Sequence, residues 1–305
     1  MRLPTPANGE VVIFESTRRS GESGGTPDGV PPDSPERRVD PNTTNSPFAG
    51  VGSLTVFQAA SEEVIAHFTA AAIDPWHVVT AAHVVAGRSP GDVRFNLNYG
   101  GDLIGLIRAE AILVHPDYAG FRPSPASGVV HDDVAIVRLS SSLPFGVPFY
   151  RVGPTPVALG TIVTLVGYSA GGDGRNGATV GASPSVKRVG RNVVDRIVPD
   201  NGASGAMEIF LYDFDGPDAS SNRTGGRTLG NHIEAHVALG DSGSPVLVPA
   251  RGGAWWIVGV STFVSPQGPA QERFGAIGGG VLLHSYAAWI ESVLASGPSG
   301  AAPAH

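Results

Sequence analysis

Short runs of apolar residues, alternating with polar ones or continuous, recur along most of the chain and predict strands rather than helices. A first series comprises VGSLTVF (51–57), EVIAHFTA (63–70), HVVTAA (77–82), VRFNL (93–97) and VAIVRL (134–139). A second comprises TIVTLVGY (161–168), RNVVDRI (191–197), MEIFLY (207–212), SPVLVP (244–249), WWIVGVSTF (255–263) and GGVLL (279–283). Turns rich in Gly, Pro and Asp separate them, the pattern of an all-β barrel or sandwich. Two series predict two packed β units.

One segment departs from this pattern. In HSYAAWIESVLA (284–295), Tyr286, Trp289, Ile290 and Val293 recur at spacings of three and four, so a C-terminal amphipathic helix is expected to dock on the body. Residues 1–46 hold little to bury: 15–46 are rich in Ser, Gly, Pro and charge and read as a flexible leader or propeptide. A folded domain is expected over 47–296, with its first half at about 47–150 and its second at about 151–283, followed by a disordered tail at 297–305.

Composition narrows the picture. Hydrophobic residues make up 41% and charged ones 15% of 305, enough for a sizeable core, and 42 Gly with 26 Pro suit many tight turns. A net charge of −7 offers no basic footprint, so no nucleic-acid partner is expected. No apolar stretch approaches the ~18 residues of a membrane span, so no membrane insertion is expected either. The only apolar run near the start, Val11 to Phe14, is shorter than the roughly 7 to 15 residues of a secretory core, so no signal peptide is visible. There is no cysteine, which excludes disulfides, thiolate metal sites and a cysteine nucleophile.

Three segments carry chemistry, in the order His, Asp, Ser. Acyl transfer at a serine needs a base for the hydroxyl proton, an acceptor that fixes the base's tautomer, and donors for the developing oxyanion. In HVVTAAHVVAG (77–87), small Ala81 and Ala82 allow close packing while His83 projects into a cleft. In HDDVAIVRL (131–139), Asp133 abuts a buried-looking strand, where an unpaired carboxylate is costly and a histidine N–H is a natural partner; Asp132 should point elsewhere. In ALGDSGSPVLV (238–248), Ser242 lies between Gly240 and Gly243, which permit close backbone approach and amides aimed at substrate. Alone, the histidine could be an ordinary packing residue and the aspartate a solvated turn; their company gives them roles.

These segments resemble the chymotrypsin/trypsin superfamily of serine peptidases, whose marks are TAAH, an Asp followed by alternating apolar residues, and GDSGGP. They stand here as Thr80 to His83, Asp133 to Leu139 and Gly240 to Pro245. VHPDY (114–118), GTIVTLVGY (160–168) and GVLLHSYAAWI (280–290) resemble further segments of that group, and ERRVDPNTTNSPFAGV (36–51) resembles the entry to its bacterial glutamyl-endopeptidase-like branch. The resemblance covers about 47–295. It implies two packed six-stranded Greek-key barrels with the triad His83, Asp133 and Ser242 between them, an oxyanion hole from the N–H groups of Gly240 and Ser242, a protein or peptide substrate, and no cofactor. Thr69, Val84, Ala238 and Val248 stand where relatives often carry cysteine, and Ser244 replaces the second glycine of GDSGGP.

By the same resemblance, His236 lies at the base of the primary specificity pocket, and Thr262, Phe263 and Val264 form the wall that pairs with substrate backbone. No acidic residue occupies the base, which disfavours cleavage after Arg or Lys; an acidic preference and a neutral histidine both stay open. Asp241 would pair with an amine released by cleavage in the leader, at Val39 after Arg37-Arg38 or at Val30. Asp213, Asp215 and Asp218 could hold Ca²⁺, although the EF-hand spacing is absent, so no metal is assigned. The alternatives are a catalytically silent protease-fold binding protein and an HtrA-like quality-control protease; the former conflicts with an intact triad, the latter with Asp241 before the serine and no room for a PDZ domain. The resemblance implies secretion, in tension with the leader, and the oligomeric state is not legible.

Overall fold

The computed structural model describes residues 34–296 except 60, 99–105, 126, 203 and 266–272. The first unit is a closed barrel of six strands: β1 (Val51–Phe57), β2 (Val64–Ala72), β3 (His77–Thr80), β4 (Val93–Asn96), β5 (Leu106–Val114) and β6 (Ala135–Leu139). Their order around the ring is β1-β2-β3-β6-β5-β4, with β4 returning to β1, and every pairing is antiparallel. Leu54, Val78, Phe95, Ile136 and Leu139 are completely buried in it. β1 is buried along its whole length because one face lines the barrel and the other meets the second unit, where the Tyr168 hydroxyl donates to the Val51 carbonyl at 3.2 Å.

The second unit is a curled sheet. β7 (Arg151–Val152) pairs in parallel with β15 (Trp255–Val264), and the main order is β11 (Arg188–Val193), β8 (Ile162–Gly167), β14 (Pro245–Pro249), β15, β16 (Ile277–Leu282), β13 (Met207–Asp213), β12 (Arg196–Pro199). Only Val194 and Asp195 separate β11 from β12, and the Asp195 N–H already donates to Leu211 at 2.9 Å. The two ends of the order are therefore one bent run of chain, and the sheet comes round on itself as a second barrel. A two-stranded flap, β9 (Gly171–Asp173) with β10 (Gly177–Val180), extends from it. Fold class and the two-unit architecture match the expectation.

The C-terminal helix also forms. A 3-10 turn over Leu283–Tyr286 leads into α2 (Ala287–Ala295), which buries Ile290 and Val293 against the shared core. Among the described residues no helix is long and apolar enough to cross a membrane.

The leader boundary needs correcting. Residues 1–33, including Val30, lie outside the described residues, as do 297–305, but 34–46 belong to the folded body. Arg38 donates to the carbonyls of His232, Ile233 and Glu234 at 3.3, 2.9 and 2.8 Å. Val39 forms an antiparallel bridge with Arg188, and buried Asp40 pairs with buried Lys187 at 2.8 Å. Lys187 also donates to the Phe48 carbonyl at 2.7 Å, and Ser46 donates to Asp40. This strap holds by ionic and hydrogen-bonded anchors whose partners lie far along the chain, so a count of apolar residues cannot detect it.

Candidate active site

β3 ends at Thr80, and Ala81 and Ala82, both fully buried, lead into the single-turn helix α1 (Ala82–Val85). Val84 and Val85 anchor that turn in the core, leaving His83 just before them partly exposed. Asp133, 0% exposed, receives the ring Nδ1–H of His83 at 2.7 Å on one oxygen and the backbone N–H of His83 at 2.8 Å on the other. A carboxylate oxygen accepts here, so Nδ1 carries the hydrogen of this bond. The half-exposed ring of Phe121 packs on the imidazole with centroids 4.5 Å apart.

The turn that carries Ser242 approaches from the second barrel. Its hydrogen bonds use the amides of Ala238 (to Asp241 Oδ2, 3.0 Å), Asp241 (to Ala238 O, 2.9 Å), Gly243 (to Ser261 O, 2.9 Å) and Ser244 (to Asp241 O, 2.8 Å). Among the described contacts, the amides of Gly240 and Ser242 are spent on nothing, as an oxyanion hole requires. Gly240 sits at φ +103°, a backbone shape that side chains disfavour. Gly243, at φ +88°, lies so close to the end of β3 that a Cβ there would fall 2.1 Å from Thr80 Oγ1 and 3.1 Å from the Ala81 nitrogen. That contact sets the Ser242 turn against the strand end that leads into His83. The Ser242 hydroxyl makes no hydrogen bond to the imidazole in this state; such bonds often tighten only when substrate binds.

Thr69 carries more of the site than the sequence reading gave it. It is fully buried in β2, and its N–H donates to Ser242 O at 3.1 Å. Its hydroxyl donates to Gly240 O at 3.1 Å and accepts from Tyr168 N at 3.0 Å. Where relatives often place a cysteine, this chain ties the barrels together through a threonine. The available signal was a lone hydroxyl inside an otherwise apolar stretch.

His236 lies beside the ends of β15 and β16. Its Nδ1 donates to Val237 O at 2.6 Å, its ring sits between Phe214 and Tyr212, and its Nε2 has no hydrogen-bond partner and lies 2.9 Å from where a Cβ of Gly278 would be. Burial lowers its pKa to about 4, so the imidazole is neutral near pH 7. Gly278 pairs with Val264 and Gly279 with Phe263, while Thr262 falls at the irregularity between Ser261 and Phe263. The structure thus brings His236 to the strand end that holds Phe263 and Val264.

Asp241 is buried below the turn, and desolvation raises its pKa to about 6 against the opposing pull of hydrogen bonds from Ala238 and Ser169 and the charge of Arg188. The Arg188 guanidinium donates to Ser169 O at 3.0 Å. A cleft beside Asp241 is lined by Pro35 and Arg38 of the strap as well as Arg188 and His236. In the acidic loop, Asp218 is exposed and caps a 3-10 turn through Ser220 N, whereas Asp213 and Asp215 are buried. A group the sequence reading missed, His115, Asp117 and Asp132, brings one ligand atom from each within 4.8 Å of one another.

Two β-barrels meeting at a buried carboxylate, a histidine and a glycine-framed serine turn define the chymotrypsin-type class of fold. The family model described as trypsin-like peptidase domain matches residues 68–255, and the chain belongs to that family. No curated protein matches it.

Proposed function

We propose that the chain is a serine endopeptidase acting through an acyl-serine intermediate. The observation that carries this reading is the doubly bonded His83–Asp133 pair facing a turn whose Gly240 and Ser242 amides are unspent. Ser242 Oγ attacks the scissile carbonyl carbon while His83 Nε2 takes its proton, and Asp133 stabilises the resulting imidazolium. The Gly240 and Ser242 amides receive the oxyanion. Collapse expels the amine, which takes the proton from His83, and water repeats the sequence to free Ser242.

A protein or peptide substrate would lie along Thr262, Phe263 and Val264 as an added strand, with its side chain reaching toward His236. A neutral His236 supports an uncharged or hydrogen-bonding side chain over a basic one. If an amine released at Val39 or Val30 completes the site at Asp241, N-terminal sequencing of active protein will find it; full activity with the leader intact would assign the cation to Arg188 instead.

The test is digestion of a peptide library by wild type and Ser242→Ala, with labelling by a fluorophosphonate. Cleavage should fall at least about 10⁴-fold in the variant and labelling should vanish. Equal cleavage by both proteins would remove the assignment, and a folded wild type that neither cleaves nor labels would favour a silent protease fold.

A further inference from the structure

We propose that Glu208, on β13 of the second barrel, is a positioning residue for the triad carboxylate Asp133 on the first. This rests on the proposed peptidase chemistry only for its kinetic consequences.

Asp133 follows a residue in an unusual backbone shape. Asp132 has φ +57°, one of two non-glycine residues with positive φ among those described. This left-handed step turns the chain so that the Asp132 side chain faces the C-terminal segment while that of Asp133 faces His83. The Oδ1 of Asp132 lies 3.3 Å from the Tyr286 hydroxyl oxygen and 3.5 Å from His115 Nδ1. A left-handed aspartate persists where its surroundings over-determine it, and here they come from across the barrel interface.

Glu208 is 2% exposed. Its Oε1 accepts the Asp132 N–H at 2.7 Å and also the Tyr286 hydroxyl. Its Oε2 accepts His131 Nδ1 at 2.5 Å, and His131 Nε2 is engaged by Ser127 Oγ at 2.8 Å. One carboxylate therefore grips the side chain of residue 131 and the amide of residue 132, the two positions immediately before the triad aspartate. It is in turn held by the residue that opens the C-terminal helix. No contact links Glu208 to His83 or Ser242 among the described residues, so its effect must pass through the backbone at 132 and 133. A loss of that grip leaves the Asp132 N–H and His131 Nδ1 buried without an acceptor and frees the left-handed step to relax.

The experiment compares Glu208→Met, which keeps the volume but removes both acceptors, with Glu208→Gln, which keeps an acceptor oxygen for the Asp132 N–H. Turnover is counted per fluorophosphonate-titrated site. The downfield proton resonance of His83 Nδ1–H, which reports the bond to Asp133, is recorded by NMR. Glu208→Met should lower kcat by about 10- to 100-fold with KM within about twofold, as a small misplacement of catalytic geometry does, and should shift or broaden the downfield resonance; Glu208→Gln should restore most of both. If Glu208→Met does not fold, Tyr286→Phe removes only a hydroxyl that holds Glu208, and a loss of about fivefold in kcat with the same resonance change is expected. Unchanged kcat per site with an unchanged resonance would overturn the proposal, whatever happens to stability. A wild type without turnover would sink the peptidase assignment alone, because the resonance still reports whether Glu208 sets the His83–Asp133 bond.

Discussion

Thr69 donates its backbone N–H to the carbonyl of Ser242 at 3.1 Å, so a strand of the first barrel holds the serine turn of the second directly. Its hydroxyl adds the bond to Gly240 O and receives the Tyr168 amide. Both contacts are buried, and neither partner has water to fall back on.

Thr69→Val keeps the shape and removes the hydroxyl. Two buried partners lose their bonds, so unfolding in urea should show a loss of about 1–3 kcal/mol. kcat should fall with it if Gly240 supplies one oxyanion donor, as proposed. Thr69→Ser should recover most of both quantities; a valine variant with wild-type midpoint and kcat would show that the hydroxyl is dispensable.

Gly243→Ala tests how close the Ser242 turn must come to β3. The added carbon would meet Thr80 Oγ1 at 2.1 Å and Thr69 O at 2.2 Å on a backbone at φ +88°. Overpacking of this kind costs about 1–3 kcal/mol, and the left-handed backbone adds roughly 1 kcal/mol more. The thermal midpoint should drop, and fluorophosphonate labelling of Ser242 should slow even in the folded fraction. Labelling at the normal rate would mean the turn tolerates displacement.

Stability should depend on pH in an uncommon direction. Burial raises Asp132, Asp195 and Asp241 to about 6 and Glu234 to about 7, against ordinary values of 3.8 and 4.5. In the unfolded chain these groups lose their protons near pH 4, whereas the folded chain keeps them until pH 6 to 7. The fold binds more protons over that window, so the stability they contribute is complete below about pH 4 and is lost as pH rises through 6 to 7. These four groups outnumber His236, whose lowered pKa favours the fold as pH rises through 4 to 6.5; the urea midpoint should therefore be higher at pH 5 than at pH 8, and Asp241→Asn should flatten the slope. A midpoint that climbs from pH 5 to 8 would refute this.

The strap gives a separate prediction. Asp40 and Lys187 are both buried, and removing one partner strands the other charge, a loss of about 3–5 kcal/mol. Asp40→Ala should expose residues 34–46 to limited proteolysis while the Asp40→Leu, Lys187→Met pair is milder. Equal protease resistance in wild type and Asp40→Ala would show that Arg38 alone secures the segment.

Much of this architecture is written locally. Strands such as β1, β6 and β15 announce themselves as apolar runs, and TAAH, DVAIVRL and GDSGSP each present their chemistry within a few residues. β5 escaped because Arg108 and Glu110 break its apolar pattern on a partly exposed face, and the β9–β10 flap because its glycines leave no periodicity. Other features depend on partners that proximity in sequence does not reveal. Glu208 is one charged residue within MEIFLY until folding sets it against Asp132, 76 positions earlier, and Arg38 reads as leader charge until it meets the carbonyls of 232–234.

The bend at Val194 and Asp195 has a consequence for how the second barrel can be opened. Those two residues are the covalent stitch that turns a sheet into a ring, since β11 zips to β8 on one side and β12 to β13 on the other. A circular permutant with its new ends there would have to hold the ring shut by hydrogen bonds alone. Ends placed in the exposed turn around Asn201 and Gly202 would leave the seam whole.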